Sequence, residues 1–164
     1  MDTSTFSSVL AKLFAELTKG TPATGGFVLN SGDRGMLASL DALSATDAST
    51  AVQGGGCIAA HTAHVSFGLS LMNRWATEGG NPFAGARWQD AWTITAVNDA
   101  HWDQLRAALR HEVARWEEAL QQPRDVQEVE LSGMIGSVAH TAYHLGAIRQ
   151  ILAKARGPKD PLSV

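Results

Sequence analysis

A long run near the C-terminus, from Gly133 to Leu152, carries two histidines four positions apart and contains no proline that would end a helix. At 3.6 residues per turn, a helix over this run places His140 and His144 one turn apart on the same face. Two neutral imidazoles at that spacing can bind one ion outside the helix. The run therefore predicts a long helix that supplies two ligands of a metal site.

The other positions of this helix separate into an apolar stripe and a strip of small residues. The stripe recurs at three- and four-residue steps, which is typical of a helix packed on a core. Its members are Leu131, Met134, Ile135, Val138, Ala142, Leu145 and Leu152. The small residues beside the histidines are Gly133, Gly136, Ser137 and Ala147, and they leave room for an ion and a substrate. Alternatively, both histidines are core residues that hydrogen-bond to a carbonyl or carboxylate.

Length, charge and cysteine content narrow the class of protein. With 164 residues, 45% of them hydrophobic, the chain is expected to form one domain over residues 1–164. The 13 basic and 16 acidic residues give a net charge of -3 without runs of one sign, which argues against nucleic-acid or membrane partners. A single cysteine excludes an internal disulfide, and no signal peptide or membrane-spanning run is visible, so a cytoplasmic protein is expected.

Four long amphipathic segments predict an all-α fold, a four-helix bundle. Between the first two segments, residues 21–32 predict an irregular stretch and residues 36–43 a shorter helix, so the N-terminal helical region is interrupted. The long segments lie around residues 6–17, 57–76, 99–120 and 131–152.

The second long segment supplies a third candidate ligand. His61 falls in the middle of its apolar stripe and is therefore expected to point inward, towards the histidine pair. His64 is rotated about 60° towards the edge of the stripe, which favours a position outside the ligand shell or on the surface. Taken alone, His61 would be a hydrogen-bonded core histidine, but three inward histidines favour a shared role.

The connection between the second and third long segments, residues 78–97, is rich in turn residues and aromatics. Loops of this length are usually functional or disordered, and aromatic residues argue against disorder. One hypothesis is that Trp88 and Trp92 cover the metal site. The other is that they form a separate hydrophobic cluster.

The residue spacing excludes two metal centres that helical proteins often build. No acidic residue is followed by histidine three positions later, as carboxylate-bridged di-iron sites require, and His111-Glu112 lacks the second histidine of a zinc protease. What remains is one ion on His61, His140 and His144, which suits Zn²⁺ or Ni²⁺, or alternatively Fe²⁺. Cys57, one turn before His61, is the available fourth ligand for a closed structural site.

The run His140-Thr141-Ala142-Tyr143-His144-Leu145-Gly146-Ala147-Ile148-Arg149 is similar to the pattern His-x-x-x-His-x-Gly-x-x-Arg in the last helix of the DinB/YfiT-like superfamily. Together with the helix that carries His61, the resemblance extends from about Gly32 to Arg156. It implies a four-helix bundle with a long connection between the second and third core helices, nickel or zinc on His61, His140 and His144, and frequent homodimers. Members with known activity are transferases and isomerases that use low-molecular-weight thiols, or hydrolases.

Two functions follow as hypotheses. The first is a metal-dependent enzyme, a thiol-dependent transferase or a hydrolase, acting on a small molecule. The second is a non-catalytic module in which the ion stabilises the fold or a dimer. Arg149 either holds a substrate carboxylate beside the site or forms an ion pair with another helix.

Overall fold

The computed structural model describes residues 3–122 and 124–158, which form an all-helical protein without strands in that part of the chain. The described residues form six α-helices, together with a short 3-10 helix at Asp90–Thr93 and another at Ala153–Ala155. The helices are α1 (Thr3–Lys19), α2 (Gly35–Asp41), α3 (Ala45–Ala48), α4 (Ile58–Glu78), α5 (Asp99–Gln121) and α6 (Glu128–Ile151).

The four long helices pack around one hydrophobic core. Helix α4 contacts both α5 and α6, and α1 contacts the same two helices. Two tryptophans of α5 are buried and also satisfy their indole N–H groups: Trp102 donates to the Leu43 carbonyl and Trp116 to the Ser137 hydroxyl, each at 2.9 Å. Because buried indoles need such partners, these bonds fix α5 against the α2–α3 region and against α6.

Local sequence explains where the helices begin. The Asn98 side chain accepts from the His101 N–H at the start of α5, and Ser44 and Asp47 form a reciprocal capping box at α3. The shorter helix expected over residues 36–43 ends at Asp41, and the polar residues that follow it build α3 instead. Capping residues set these boundaries more sharply than the hydrophobic periodicity does.

The irregular stretch after α1 is held by one carboxylate. Glu16 accepts three backbone N–H groups, from Phe27 at 3.0 Å, Val28 at 2.7 Å and Leu29 at 2.6 Å. The chain then returns to α1 at Gly35, whose φ of +73° and whose distance of 2.6 Å between an added Cβ and the Gly20 nitrogen both require glycine. The stretch is therefore an ordered strap that folds α2 back onto the end of α1.

No helix in the described part of the chain combines the length and the apolar character needed to cross a bilayer. The connection between α4 and α5, residues 79–98, folds back along α4 through its 3-10 helix. This placement brings the aromatic residues of the connection to the face of α4 that carries the histidines.

Candidate metal centre

Helices α4 and α6 bring four histidines together. His61 and His64 lie on successive turns of α4, and His140 and His144 on successive turns of α6. His61 and His64 are each 9% exposed and His144 is 3% exposed, whereas His140 is half-buried. The i, i+4 spacing in α6 gives the adjacency of His140 and His144, whereas helix packing decides how the α4 histidines meet them.

Three of these histidines converge on one point. The Nε2 of His140 lies 3.1 Å from Nε2 of His64 and 3.0 Å from Nε2 of His144. One nitrogen from each of the three lies within 4.8 Å of the other two. Imidazole nitrogens bound to one ion at 2.0–2.1 Å are about 3.0–3.4 Å apart, so the cluster has the spacing of a ligand set.

Hydrogen bonds within the cluster cannot satisfy this arrangement. A ring nitrogen has a single in-plane position, occupied either by a proton or by a lone pair. The Nε2 of His140 therefore cannot make a good hydrogen bond to both neighbours at once. A cation at the point of convergence would satisfy all three nitrogens.

His61 contacts the cluster from a different side. Its Nδ1 lies 2.8 Å from Nδ1 of His144, the nitrogen of that ring turned away from His140. The spacing thus differs from the expectation that His61 is the third inward nitrogen and His64 lies outside. The reason is that α4 is buried around most of its circumference, so a rotation of about 60° still leaves His64 inside the protein.

Two tryptophans of the 79–98 connection cover the cluster. The Trp92 ring lies 5.0 Å from the ring of His61 and 4.8 Å from that of His64, and Trp88 lies 5.6 Å from His64. Gly56 permits the approach of Trp92, because an added Cβ would lie 2.7 Å from Cζ3 of the indole. Since Trp92 is itself 39% exposed, its other face meets solvent and the cluster lies near the surface under one aromatic layer.

The environment favours neutral imidazoles. Burial lowers the pKa of His61, His64 and His140 from the ordinary value, and the neighbouring His64 lowers those of His61 and His140 further. Burial, followed by the other three histidines, lowers the pKa of His144 to about 3. Neutral imidazoles are the form that binds metal, so the fold prepares the cluster for a cation.

The structure gives Cys57 and Arg149 partners away from the cluster. Cys57 is a buried N-cap of α4, accepting from the Ala60 N–H at 3.4 Å and donating to the Ile94 carbonyl at 3.2 Å. Arg149 makes two hydrogen bonds of 2.8 Å to the carboxylate of Asp33, just before α2. Cys57 therefore joins the start of α4 to the 79–98 connection, and Arg149 joins α6 to the start of α2.

A cavity of about 380 Å³ opens beside His140, between α4, α6 and the connection. Its walls come from Gly68, Leu69, Met72, Phe83, Trp88, Val129, Gly133, Gly136, Ser137 and His140. Sequence analysis recognised the small residues of α6 but missed the α4 side of the cavity. Gly68, in the middle of a helix where glycine is unfavourable, was the available signal.

Fold and cluster together define the class: an all-helical protein with a three-histidine group, His64, His140 and His144, at metal-binding distance. Comparisons with models of protein families, with curated proteins and with solved structures give no match. The function must therefore be argued from the site itself.

Proposed function

We propose that the chain is a DinB/YfiT-like four-helix bundle that binds one divalent ion and uses it as a metal-dependent enzyme, a thiol-dependent transferase or a hydrolase. The ligands in this proposal are His64, His140 and His144, and His61 in place of His64 is the alternative that the sequence resemblance implies. The single observation that carries the proposal is the Nε2 of His140, 3.0–3.1 Å from two other ring nitrogens with which it cannot form two hydrogen bonds.

Three neutral nitrogen donors and no carboxylate favour Zn²⁺ or Ni²⁺ over Mg²⁺ or Ca²⁺, with Fe²⁺ the third choice. An ion with three protein ligands keeps open positions at which it would activate a thiol or a water. Cys57 supports the open site, because its sulfur is committed to the cap of α4 and to the Ile94 carbonyl. An open site argues for catalysis and against a closed structural centre.

Thiol transfer fits the surroundings better than hydrolysis. The histidine group contains no carboxylate that could serve as general base, and a thiol on a metal loses its proton without one. Trp88 and Trp92 would exclude water from one side of the reaction. We therefore favour a low-molecular-weight thiol as co-substrate, and a cytoplasmic, thiol-rich location follows from it.

A homodimer completes the proposal. Helix α6 exposes Ile135 and Tyr143, with Tyr143 69% exposed, and it has no charged residue between Glu130 and Arg149. Such an uncharged, exposed helix face is typical of a surface that a second copy covers. Light scattering on the parent and Tyr143→Glu tests this part: a dimer that becomes a monomer supports it, and a monomeric parent contradicts it.

The central experiment is metal content by mass spectrometry on untagged protein purified without chelator. Parent protein is expected to hold about one ion per chain, and His140→Ala and His144→Ala none. His111, an exposed histidine of α5, provides the matched control as His111→Ala. Equal metal in the parent and His140→Ala would rule out the site. The absorption spectrum of the Co²⁺ form provides a second measurement. A spectrum that indicates a fourth protein ligand and does not change when a thiol is added would instead favour the non-catalytic, metal-stabilised module.

A further inference from the structure

The cavity beside His140 continues away from the histidines. A second space of about 210 Å³ shares Met72, Phe83, Val129 and Gly133 with it and extends to Trp75 and Glu130. Together they form one open groove between α4 and α6, called the channel below, with His140 at one end. Its main chamber alone falls in the range of about 300–1,000 Å³ that is typical of small-molecule sites.

The main chamber is apolar. None of its lining side chains is charged, and the polar groups among them are the Ser137 hydroxyl, the His140 imidazole and the Trp88 indole N–H. The Ser137 hydroxyl already donates to the Met134 carbonyl and accepts from Trp116, so it has no free hydrogen for a ligand. His140 is the polar contact at the metal end of the chamber.

Glycines create the space. An added Cβ at Gly68 would lie 3.6 Å from Cε1 of His140 and 3.4 Å from Trp88, so a larger residue there would separate the cavity from the cluster. At Gly136 an added Cβ meets no atom within 4 Å. Glycine within a helix costs about 1 kcal/mol relative to alanine, and nothing at Gly136 within the protein requires it. Both glycines keep the channel open next to the site.

We propose that this channel binds the uncharged apolar part of a small molecule, an alkyl or aryl chain, and directs its polar end past His140 to the ion. The apolar lining of the main chamber excludes charged chains, because an ion there would lose its hydration without a partner. The end at His140 rests on the metal site proposed above, whereas binding of the chain does not. The substrate class is therefore a hydrophobic small molecule with one metal-reactive end.

Two probe series separate the two parts. Straight-chain primary alcohols from propanol to octanol report on the channel, and 1-alkanethiols of the same lengths add a metal-binding end. Calorimetry on metal-free and Zn²⁺-loaded protein is expected to show affinity for the alcohols rising about fourfold per methylene group in both forms. The advantage of each thiol over the matching alcohol is expected to be larger in the Zn²⁺ form than in the metal-free form.

Gly136→Leu is the blocking variant and Gly146→Leu its matched control. Both residues are exposed glycines of α6 whose added Cβ meets no neighbour, but only Gly136 lines the channel. Gly136→Leu is expected to abolish the chain-length dependence and keep its metal, while Gly146→Leu changes neither. Val129→Asp, a charge at the exposed rim, is a second variant that should weaken octanol binding at least tenfold.

The outcomes distinguish the two proposals. Affinity that is the same for all chain lengths, or equal for the two leucine variants, would overturn the channel while leaving the metal site intact. Protein that binds no Zn²⁺ but still discriminates octanol from propanol would overturn the metal site and support the channel. Thermal melts of both variants verify that loss of binding is not loss of fold.

Discussion

The Nδ1 atoms of His61 and His144 lie 2.8 Å apart, so one of the two rings donates a hydrogen bond to the other. If Nε2 of His144 binds an ion, its Nδ1 carries the proton and donates to His61, whose own proton then sits on Nε2. In this arrangement His61 orients a ligand without being one. Ring partners of this kind commonly hold metal-bound histidines in place.

The α4 variants are the first test of this arrangement. His64→Ala is expected to lose the ion, whereas His61→Ala should keep the stoichiometry and bind about 10–100-fold more weakly. Calorimetric titration with Zn²⁺ at pH 7.5 measures both values, with His111→Ala as the control. The opposite pattern, loss in His61→Ala and retention in His64→Ala, would assign the third ligand to His61 instead.

A second prediction concerns pH and the metal-free protein. Burial lowers the pKa of all four cluster histidines below their ordinary value near 6.5, to about 3 for His144. As the pH falls through 6.5, these histidines therefore bind protons in the unfolded chain but stay neutral in the folded protein. The contribution of the neutral histidines to the free energy of unfolding should be fully present above pH 6.5. Below pH 6.5 the free energy of unfolding should fall by up to about 1.4 kcal/mol per pH unit for each histidine that is still neutral in the folded protein.

Urea unfolding in the presence of EDTA at pH 7.5, 6.0 and 5.0 measures this slope. His144→Gln, with the largest shift, should flatten the slope, and His111→Gln should leave it unchanged. If the free energy of unfolding changes with pH by the same slope in the parent and in His144→Gln, titratable groups outside the cluster would account for the acid sensitivity.

The Arg149–Asp33 pair gives a third prediction. Asp33 has only 3% of its side chain exposed, and Arg149 15%. Arg149→Ala leaves a buried carboxylate without its cation and should destabilise the protein by about 3–5 kcal/mol. The exposed pair Arg74–Glu78 is the matched control, and Arg74→Ala should cost less than about 1 kcal/mol.

Urea unfolding of both variants at pH 7.5 measures the two losses, and mass spectrometry measures their metal. Full metal content in folded Arg149→Ala would agree with an arginine that joins α6 to the start of α2. Unchanged stability of Arg149→Ala together with weaker substrate binding would instead support the alternative that Arg149 holds a substrate carboxylate.

A fourth prediction concerns the strap after α1. Burial raises the pKa of Glu16, but its hydrogen bonds from Phe27, Leu29 and Val28 outweigh that effect and hold the pKa below the ordinary value. Glu16→Gln places an amide N–H against backbone donors and should cost about 1–3 kcal/mol. Limited proteolysis should then cut within residues 21–32, while Glu118→Gln, at an exposed position of α5, stays resistant. Equal cleavage of the two variants would contradict the role given to Glu16.

Because the carboxylate form of Glu16 makes these bonds, its contribution is present above the carboxyl's ordinary pKa of 4.5 and is lost as the pH falls through the lower folded value. The bonds from Glu16 to the strap should therefore weaken only below pH 4.5. Proteolysis by pepsin over a pH series measures the midpoint, and a midpoint above pH 5 would be inconsistent with a lowered pKa.

Hydrophobic periodicity and caps predicted much of the fold. The four long helices were located to within a few residues, since the signals for a helix lie within the helix itself. The expectation that the fold is all-helical is confirmed, whereas the DinB/YfiT-like type of bundle and the homodimer stay predictions.

Local sequence by itself determined that His140 and His144 share a face, because the i, i+4 relation needs nothing outside one helix. Tertiary packing decided the rest: which α4 histidine meets them, that Asp33 reaches Arg149, and that an apolar channel begins at His140. Helical phase gives the angle between His61 and His64, but it does not say how far neighbouring elements wrap around the helix. Neighbouring elements bury most of the circumference of α4, so both His61 and His64 lie inside the protein. Only the distances from their ring nitrogens to the histidines of α6 distinguish their roles.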